Sequence, residues 1–314
     1  MRDSNRASDP AANIAMSEVR KLLATRCPGL LDCIEKTLAD AEVRYNRQSN
    51  QPPSQFLLEH TRRVAAIALK ISRIEEVDPF FPVLVALFHD AGKFHEGEYH
   101  KDDISEEEHA AVLAGQILSE FRTTPSDIAC VQDALRALYN DGLPCVGPCR
   151  IVQDADRLDK LGALGVSAFF TKAALRGRGL IEAIGQSVSR ELTYALAAPR
   201  SMFTDTGKSL ATAQSAKSVT FFEALLEDLE NWGIATFDRR TIVLQETFRT
   251  RDGASVQSME ATIVMPRTCP DCDAPLGLTH GRGRGIKCEK LIARIACPQC
   301  DYRSETAFCL PVFA

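Results

Sequence analysis

Apolar side chains recur every three or four positions through most of the first 230 residues, which is the spacing of one face of an α-helix. This pattern predicts helices over 16–44, 55–74, 83–89, 106–121, 126–138, 151–175, 180–197 and 217–232. The helix over 83–89 is apolar nearly throughout and follows Pro82, so we expect it to be buried. The sequence therefore predicts a mainly α protein, a helical bundle up to about residue 235.

The pattern changes from helical to strand-like after Trp232. Residues 233–245, 261–265 and 291–296 are rich in β-branched and aliphatic side chains, which favour strands. We therefore expect a small β module to follow the helices. The predicted parts are a flexible tail over 1–15, a helical domain over 16–235 and a β-rich module over 236–314.

Composition narrows the class of protein. Of 314 residues, 45% are hydrophobic and 25% charged, as in ordinary globular proteins. The formal net charge of −5 argues against a general nucleic-acid-binding protein, although it leaves a local basic patch open. No apolar run is long enough for a membrane span, and the first fifteen residues lack the apolar segment of a secretory leader. With 11 cysteines, an odd number, we expect a protein of the reducing cytoplasm.

Two histidines and two aspartates lie on or beside the predicted buried faces of three helices. His60 belongs to an apolar series with steps of three and four residues, and His89 and Asp90 end the apolar helix. Asp154 lies beside the apolar stripe of the helix over 151–175. Each of them alone is well explained as a hydrogen-bonded or salt-bridged core residue. A single metal ion explains all four together, since buried charges need a partner.

A set of two imidazoles and two carboxylates suits particular metal ions. It favours Mn²⁺, Mg²⁺, Fe²⁺, Co²⁺ or Ni²⁺ with open water positions over a closed structural zinc site. Open positions imply chemistry, because a bound ion activates water and neutralises charge on a phosphoryl oxygen. His60, His89, Asp90 and Asp154 are therefore the predicted ligands of one divalent metal.

The same residues carry a family resemblance. His60 with Arg63, the segment 88–93 (Phe-His-Asp-Ala-Gly-Lys) and the segment 151–159 (Ile-Val-Gln-Asp-Ala-Asp-Arg-Leu-Asp) resemble the HD-domain metal-dependent phosphohydrolases. They are similar in particular to the small bacterial branch that includes nucleotide pyrophosphohydrolases. The resemblance covers about residues 18–230. It implies an all-α fold, one divalent metal on the four ligands, and hydrolysis of phosphoesters or phosphoanhydrides, often in nucleotides.

The resemblance is incomplete at one point. Binuclear members of the family supply further histidines after the His-Asp pair, and here His109 is one candidate. The other position, near 138–140 (Leu-Tyr-Asn), has no histidine. This favours a site with one metal ion, and it argues against a di-iron oxygenase.

Several charged residues near the motifs are candidates for catalysis or support. Lys93 could meet a substrate phosphate as a point charge, or it could be a solvated lysine. Glu107 and His109 begin a helix, where acidic residues are favoured in any case, and His109 could protonate a leaving group. The candidates for supporting the ligands, with surface charge as the alternative, are Arg63, Arg157 and Asp159.

Four cysteines form two Cys-x-x-Cys pairs, Cys269 with Cys272 and Cys297 with Cys300. Two such pairs hold one tetrahedral Zn²⁺, and the spacer between them fits a hairpin with its turn at 281–285, as in a zinc ribbon. The alternatives are a redox pair or unligated thiols. Of the other cysteines, Cys288 is a possible substitute ligand, Cys309 a core residue, and Cys145 and Cys149 loop thiols.

The predicted function is metal-dependent hydrolysis of a phosphoanhydride or phosphoester, plausibly in a nucleotide. The alternative is a regulatory module that senses a nucleotide at a weakly active or inactive HD site and binds nucleic acid or protein through the ribbon. The segment 280–287 is short and basic, as in loops that contact nucleic acid, while a structural cap or an oligomer contact is the other role open to the ribbon.

Overall fold

The computed structural model describes residues 10–50, 52, 54–99, 104–140, 142–250, 253–284 and 289–310. Its internal contacts divide the chain into two compact units, one ending at Asp159 and one beginning at Lys160. In the described residues, no helix combines the length and the apolar character that crossing a membrane requires. The expected fold class, a helical bundle followed by small β structure, is confirmed.

The first unit consists of helices and short connections. The helices are α1 (Pro10–Ala24), α2 (Leu30–Gln48), α3 (Phe56–Ile74), α4 (Phe80–Phe88), α5 (Glu106–Glu120), α6 (Pro125–Ala137) and α7 (Pro148–Asp159), with a 3₁₀ turn at His95–Gly97. Helix α4 is almost entirely buried, and it packs against α3, α6 and α7. Because α3 also packs on α7, the ends of these three helices meet around one part of the core.

A buried carboxylate on α2 caps the start of α3. Glu42 is 2% exposed, and its carboxylate oxygens accept hydrogen bonds from the backbone amides of Leu57 (3.2 Å) and Leu58 (3.3 Å). The hydroxyl of Ser54 donates a third hydrogen bond at 3.0 Å. Burial raises the pKa of Glu42, although these hydrogen bonds favour the ionised form. Since the residue before α3 gives no side-chain cap, Glu42 fixes where the helix begins.

Gly92 allows the turn after α4 to pass close to α5. A β-carbon at this position would lie 2.0 Å from the carbonyl oxygen of Glu106 and 2.9 Å from the β-carbon of His109. No other residue type fits there without moving one of the two segments. Close packing against α5 therefore explains why this position of the segment 88–93 is a glycine.

The second unit combines three helices with two small antiparallel sheets. Its elements are α8 (Gly162–Leu175), α9 (Leu180–Ser201), α10 (Asp205–Asn231), β1 (Phe237–Thr250), β2 (Gly253–Pro266), β3 (Gly277–Arg284), β4 (Glu289–Ala296) and β5 (Arg303–Leu310). Strands β1 and β2 form a long hairpin, and the other sheet has the order β3-β4-β5. A core that includes Val188, Leu192, Phe222, Leu226 and Val264 joins α9 and α10 to β2.

Helix α9 covers the outer edge of β2 with side-chain hydroxyls. Ser189 accepts from the amide of Val264 at 2.9 Å and donates to its carbonyl at 3.3 Å. Thr193, one turn further along, makes the same two bonds with Thr262, at 3.0 and 3.4 Å. Each hydroxyl thus satisfies the two backbone groups that a neighbouring strand would otherwise bind.

The structure corrects several predicted boundaries. The helix expected over 16–44 is two helices, because Pro28 and Gly29 separate α1 from α2 and Gly29 adopts a left-handed φ of 82°. Helix α1 begins at Pro10, inside the predicted flexible tail, whose residues 1–9 lie outside the described part of the chain. The helix expected over 151–175 breaks before Gly162.

Further differences concern the C-terminal half and the loop cysteines. The change from helix to strand falls where it is expected, near residue 235, but this point lies inside the second compact unit. Strand β3 continues to Arg284, so residues 281–284 of the predicted turn lie in a strand. Cys145 and Cys149, predicted as loop thiols, are joined by a disulfide, and Cys149 lies in α7. Cys288 and the side chain of Cys309 lie outside the described residues.

The cap on α3 gives a stability prediction. Glu42→Ala removes an acceptor for buried amides at the start of α3, and we expect the free energy of unfolding to fall by about 2–3 kcal/mol. Chemical denaturation followed by circular dichroism measures this loss. The matched control is Asp40→Ala on the exposed side of the same helix, which should change stability by less than about 0.5 kcal/mol. Equal effects of the two substitutions would contradict the capping role.

Candidate metal centres

His60 on α3 and His89 at the end of α4 point their Nε2 atoms toward each other, 3.2 Å apart. The Nδ1 of His89 donates to the carbonyl of Ala86 at 2.7 Å, and the Nδ1 of His60 donates to the carboxylate of Asp159 at the same distance. Because an Nδ1 that donates carries the proton, Nε2 of the neutral ring has the lone pair. Both histidines therefore present a metal-binding nitrogen to one point.

Two carboxylates approach the same point. Oδ1 of Asp156 lies 3.3 Å from Nε2 of His60, and Oδ2 of Asp90 lies 3.4 Å from it. The Asp90 oxygen is also 3.6 Å from Nε2 of His89. We call these four residues the HD cluster: His60, His89, Asp90 and Asp156. Three of its members, His60, His89 and Asp156, have potential ligand atoms within 4.8 Å of one another.

These separations fit a single metal ion. Two ligand atoms about 2.1 Å from one ion lie about 3.0 Å apart at adjacent octahedral corners and about 3.4 Å apart in a tetrahedron. The four contacts of the HD cluster run from 3.2 to 3.6 Å. Two neutral nitrogens and two carboxylate oxygens are also a donor set that suits a borderline or hard divalent cation.

Asp156, and not Asp154, supplies the carboxylate from α7 to the HD cluster. The two residues are separated by about 200° around a helix, so they project to opposite sides of α7. Asp156 meets His60 on the side that also carries Asp159, one turn further on. Asp154 is fully buried on the other side. The repeated Asp-x-Asp-x-x-Asp spacing allowed either assignment, and the geometry favours Asp156 in the place predicted for Asp154.

Asp159 and Arg63 hold His60 in place. Arg63 binds both oxygens of Asp159 at 2.7 and 3.0 Å, and the carboxylate then binds His60. Burial opposes ionisation of Asp159, but the hydrogen bonds from His60 and Arg63 lower its pKa. A carboxylate behind a ligating histidine fixes the orientation of the ring. The structure thus places two of the three predicted supporting residues directly behind His60.

The HD cluster carries a strong negative field. Burial disfavours the imidazolium of His60, yet hydrogen bonds to Asp156, Asp159 and Asp90 outweigh it and raise the pKa of His60 to about 10. Burial lowers the pKa of His89. Burial also opposes ionisation of Asp90, but electrostatic interactions, among them that with the ammonium of Lys93, hold the pKa of Asp90 well below its usual range. Ionised carboxylates around Nε2 of His60 are what a divalent cation would neutralise.

The other predicted site residues have distinct surroundings. The ammonium of Lys93 contacts Oδ2 of Asp90 at 2.5 Å. His109 lies beside Gly92, and its ring stacks on that of His95 with centroids 3.9 Å apart. Glu107 lies half-buried in the first turn of α5, and its role in the site stays a prediction. Arg157 is buried on α7 and binds Gln153 at 3.0 Å.

The second unit contains the other cluster of ligand atoms. Cys269 and Cys300 have their sulfurs 3.4 Å apart, and those of Cys272 and Cys297 are 3.5 Å apart. All four sulfurs lie within 4.8 Å of one another, close to the spacing of about 3.8 Å expected for thiolates about 2.3 Å from one tetrahedral ion. Each Cys-x-x-Cys pair lies next to a tight turn, and the amide of Gln299 donates to the sulfur of Cys297. The four cysteines can therefore hold one metal ion.

The thiols of this cluster influence one another. Burial opposes ionisation of Cys297, but the amide of Gln299 and the neighbouring thiols lower its pKa to about 7. Backbone hydrogen bonding favours the thiolate of Cys300, but the neighbouring thiols raise its pKa to about 12. Thiols that contact one another cannot all ionise without a cation among them.

Comparison with known proteins agrees with the HD cluster. The family model of the HD domain matches residues 57–161, a range that includes every member of the cluster. The chain therefore contains an HD domain, as the sequence resemblance predicts. No curated protein matches the sequence.

Several solved structures are similar to parts of the chain. A predicted HD superfamily hydrolase from an uncultured Thermotogales bacterium is 23% identical, with 68% of this chain and 98% of that chain covered and a TM-score of 0.49. YpgQ of Bacillus subtilis, solved in complex with ADP, is 24% identical, with 55% and 88% covered and a TM-score of 0.44. An HD-superfamily hydrolase of Bacillus thuringiensis is 20% identical, with 64% and 98% covered and a TM-score of 0.46.

The two aspartates of α7 give a direct test of the ligand assignment. Asp156→Ala removes a carboxylate of the HD cluster, so we expect the affinity for Mn²⁺ to fall by at least about 10-fold. Asp154→Asn, the matched control, keeps the size of a buried side chain and should leave Mn²⁺ binding unchanged. The loss of the free Mn²⁺ signal in electron paramagnetic resonance measures both. The reverse pattern would restore Asp154 as the ligand.

Proposed function

We propose that the chain is a metal-dependent phosphohydrolase, and that the HD cluster is its catalytic centre. The observation that carries this proposal is the convergence of His60, His89, Asp90 and Asp156 at spacings suited to one ion. The match of the HD domain model to the same residues supports it. A divalent ion bound there would activate water and neutralise charge on a phosphoryl oxygen.

The residues of the chain prepare this chemistry in distinct ways. Asp159 and Arg63 hold the ring of His60 so that its Nε2 faces the centre. Burial of His89 lowers the pKa of its imidazole, which favours the neutral form that can ligate. Lys93 adds a positive charge at the edge of the HD cluster, where a substrate phosphate would replace its contact with Asp90.

We infer that the substrate is a phosphoanhydride or phosphoester, and among these a nucleotide. A site with one cation and one lysine is complementary to a group with several negative oxygens. The nucleotide part of this proposal rests on the sequence resemblance of the HD motifs. Sensing of a nucleotide without turnover is the alternative, and the experiment below separates the two.

The decisive experiment is a hydrolysis screen on the purified protein. Nucleoside mono-, di- and triphosphates and simple phosphoesters are each combined with Mn²⁺, Mg²⁺, Fe²⁺, Co²⁺ or Ni²⁺, and phosphate or pyrophosphate release is measured. We expect turnover with at least one pair and its loss in Asp90→Ala. Nucleotide binding without release of either product would favour the sensing alternative. Absence of both binding and turnover would contradict the proposed function.

Lys93 gives a prediction about the role of its charge. Lys93→Ala should raise KM or lower kcat by about 10-fold or more while Mn²⁺ affinity stays within a few-fold, because an ammonium binds phosphate and not a cation. Parallel kinetics and metal titration measure the two effects. The matched control is Lys70→Ala on the exposed side of α3, which should retain full activity. Full activity of Lys93→Ala would show that Lys93 only forms an ion pair with Asp90 and does not bind substrate.

We also propose that the four clustered cysteines hold one structural Zn²⁺. Thiolates are soft ligands, and a closed set of four leaves no position for water. The nearby guanidinium groups support a structural role, since Arg303 donates to the carbonyls of Cys297 and Cys300, and Arg294 pairs with Glu305. These contacts link the second Cys-x-x-Cys pair to the start of β5, and β4 to β5.

Removal of one of these ligands gives a prediction about zinc. Cys297→Ser should remove about one zinc ion per chain and destabilise residues beyond about 260, because metal binding and folding of such small modules are coupled. Elemental analysis and limited proteolysis measure the two effects. Cys130→Ser, at an exposed cysteine of α6, is the control and should keep its zinc. Wild-type protein purified without chelator and free of zinc would refute the assignment.

A further inference from the structure

Tyr139 contacts the HD cluster although it belongs to none of the three sequence motifs that resemble the HD family. It lies two residues beyond the end of α6, and its hydroxyl donates a hydrogen bond to Oδ2 of Asp156. The other oxygen of the same carboxylate, Oδ1, faces Nε2 of His60 at 3.3 Å. The two oxygens of Asp156 therefore have different surroundings, a phenol on one side and the cluster on the other.

The backbone of Tyr139 is held in an uncommon conformation. Its φ is 56°, in the left-handed region that a bulky side chain seldom adopts. Such a conformation is unfavourable for a residue with a bulky side chain, and it persists where the surrounding structure determines it. Tyr139 comes directly after Leu138, the extended residue that caps α6, and its phenol reaches α7. The strain and the hydrogen bond are two separate observations that single out the same residue.

We propose that Tyr139 is a positioning residue that holds Asp156 as a ligand through one oxygen. This inference rests on the proposed function of the HD cluster. The phenol holds Oδ2 while Oδ1 faces Nε2 of His60, so the carboxylate is fixed before an ion binds. Fixing a ligand in advance lowers the entropy lost on binding, which raises affinity for the ion.

The position of Tyr139 also accounts for a gap in the sequence motif. The sequence offers no histidine at 138–140, where a second metal ion would need one. The structure shows the side chain of Tyr139, from this segment, bound to Oδ2 of Asp156, a carboxylate of the HD cluster. A cation approaching Oδ2 would have to displace the hydroxyl, so the same hydrogen bond favours occupancy by one ion.

The test is a Mn²⁺ titration followed by electron paramagnetic resonance. Mn²⁺ prefers oxygen and nitrogen ligands, so it reports on the HD cluster and not on the thiols. Tyr139→Phe keeps the ring and removes the hydroxyl, and we expect about 10- to 100-fold weaker Mn²⁺ binding. The matched control is Tyr45→Phe, the same chemical change at a tyrosine that stacks on Phe94 in the same unit. It should bind Mn²⁺ as the wild type does.

A double-mutant cycle shows whether Tyr139 acts through Asp156. In an Asp156→Asn background, Tyr139→Phe should weaken Mn²⁺ binding by less than 3-fold, because the carboxylate it positions is already gone. Tyr139→Asn is a second variant, since asparagine tolerates a positive φ better. This variant should keep the melting temperature of the wild type and still lose Mn²⁺ affinity. That result would separate the effect of the hydroxyl from the effect of the backbone conformation.

The outcomes distinguish this inference from the proposed function. Wild-type affinity in Tyr139→Phe, or an undiminished effect of this substitution in the Asp156→Asn background, would overturn the positioning role and leave the hydrolase proposal standing. A wild-type protein that binds no Mn²⁺ and hydrolyses no phosphate compound would remove the proposed function, and the inference about Tyr139 with it.

Discussion

The helical unit depends on His60 being held between two sets of carboxylates. Asp159 fixes one nitrogen of the ring from behind, and the HD cluster surrounds the other. Three acidic groups around one buried imidazole are costly unless positive charge balances them. Arg63 provides that charge on one side, while Lys93 or a divalent cation provides it on the other. Because α3, α4 and α7 pack on one another, these charges lie together and must be neutralised together.

Much of the fold follows from periodicity, and its errors have local causes. The apolar spacing predicts α3, α5 and α6 to within one or two residues. Breaks at Gly29 and Gly162 were missed, because apolar residues continue on both sides of each and only the positive φ of the glycine reveals the change of direction. The disulfide of Cys145 with Cys149 was missed because spacing does not fix pairing.

The candidate site was predicted in part for similar reasons. His60, His89 and Asp90 stand in motifs that leave no choice of residue. The segment 151–159 offers three aspartates, and choosing between Asp154 and Asp156 requires the rotation of α7 relative to α3, which the sequence does not contain. Tyr139 had no motif to mark it. Its contact with Asp156 depends on a positive φ at Tyr139, which no sequence pattern indicates.

The hydroxyls that line β2 bear on how the chain can be divided. Ser189 and Thr193 precede their partners in β2 by about 70 residues, yet they occupy the place of a neighbouring strand. A fragment that ended near residue 235, where helix gives way to strand, would strip α9 of the hairpin that covers it. A fragment that began near residue 235 would expose the uncovered edge of β2, which could then pair with strands of other chains. Evolution or protein engineering could therefore transfer the segment from Lys160 onward more safely than the β-rich part alone.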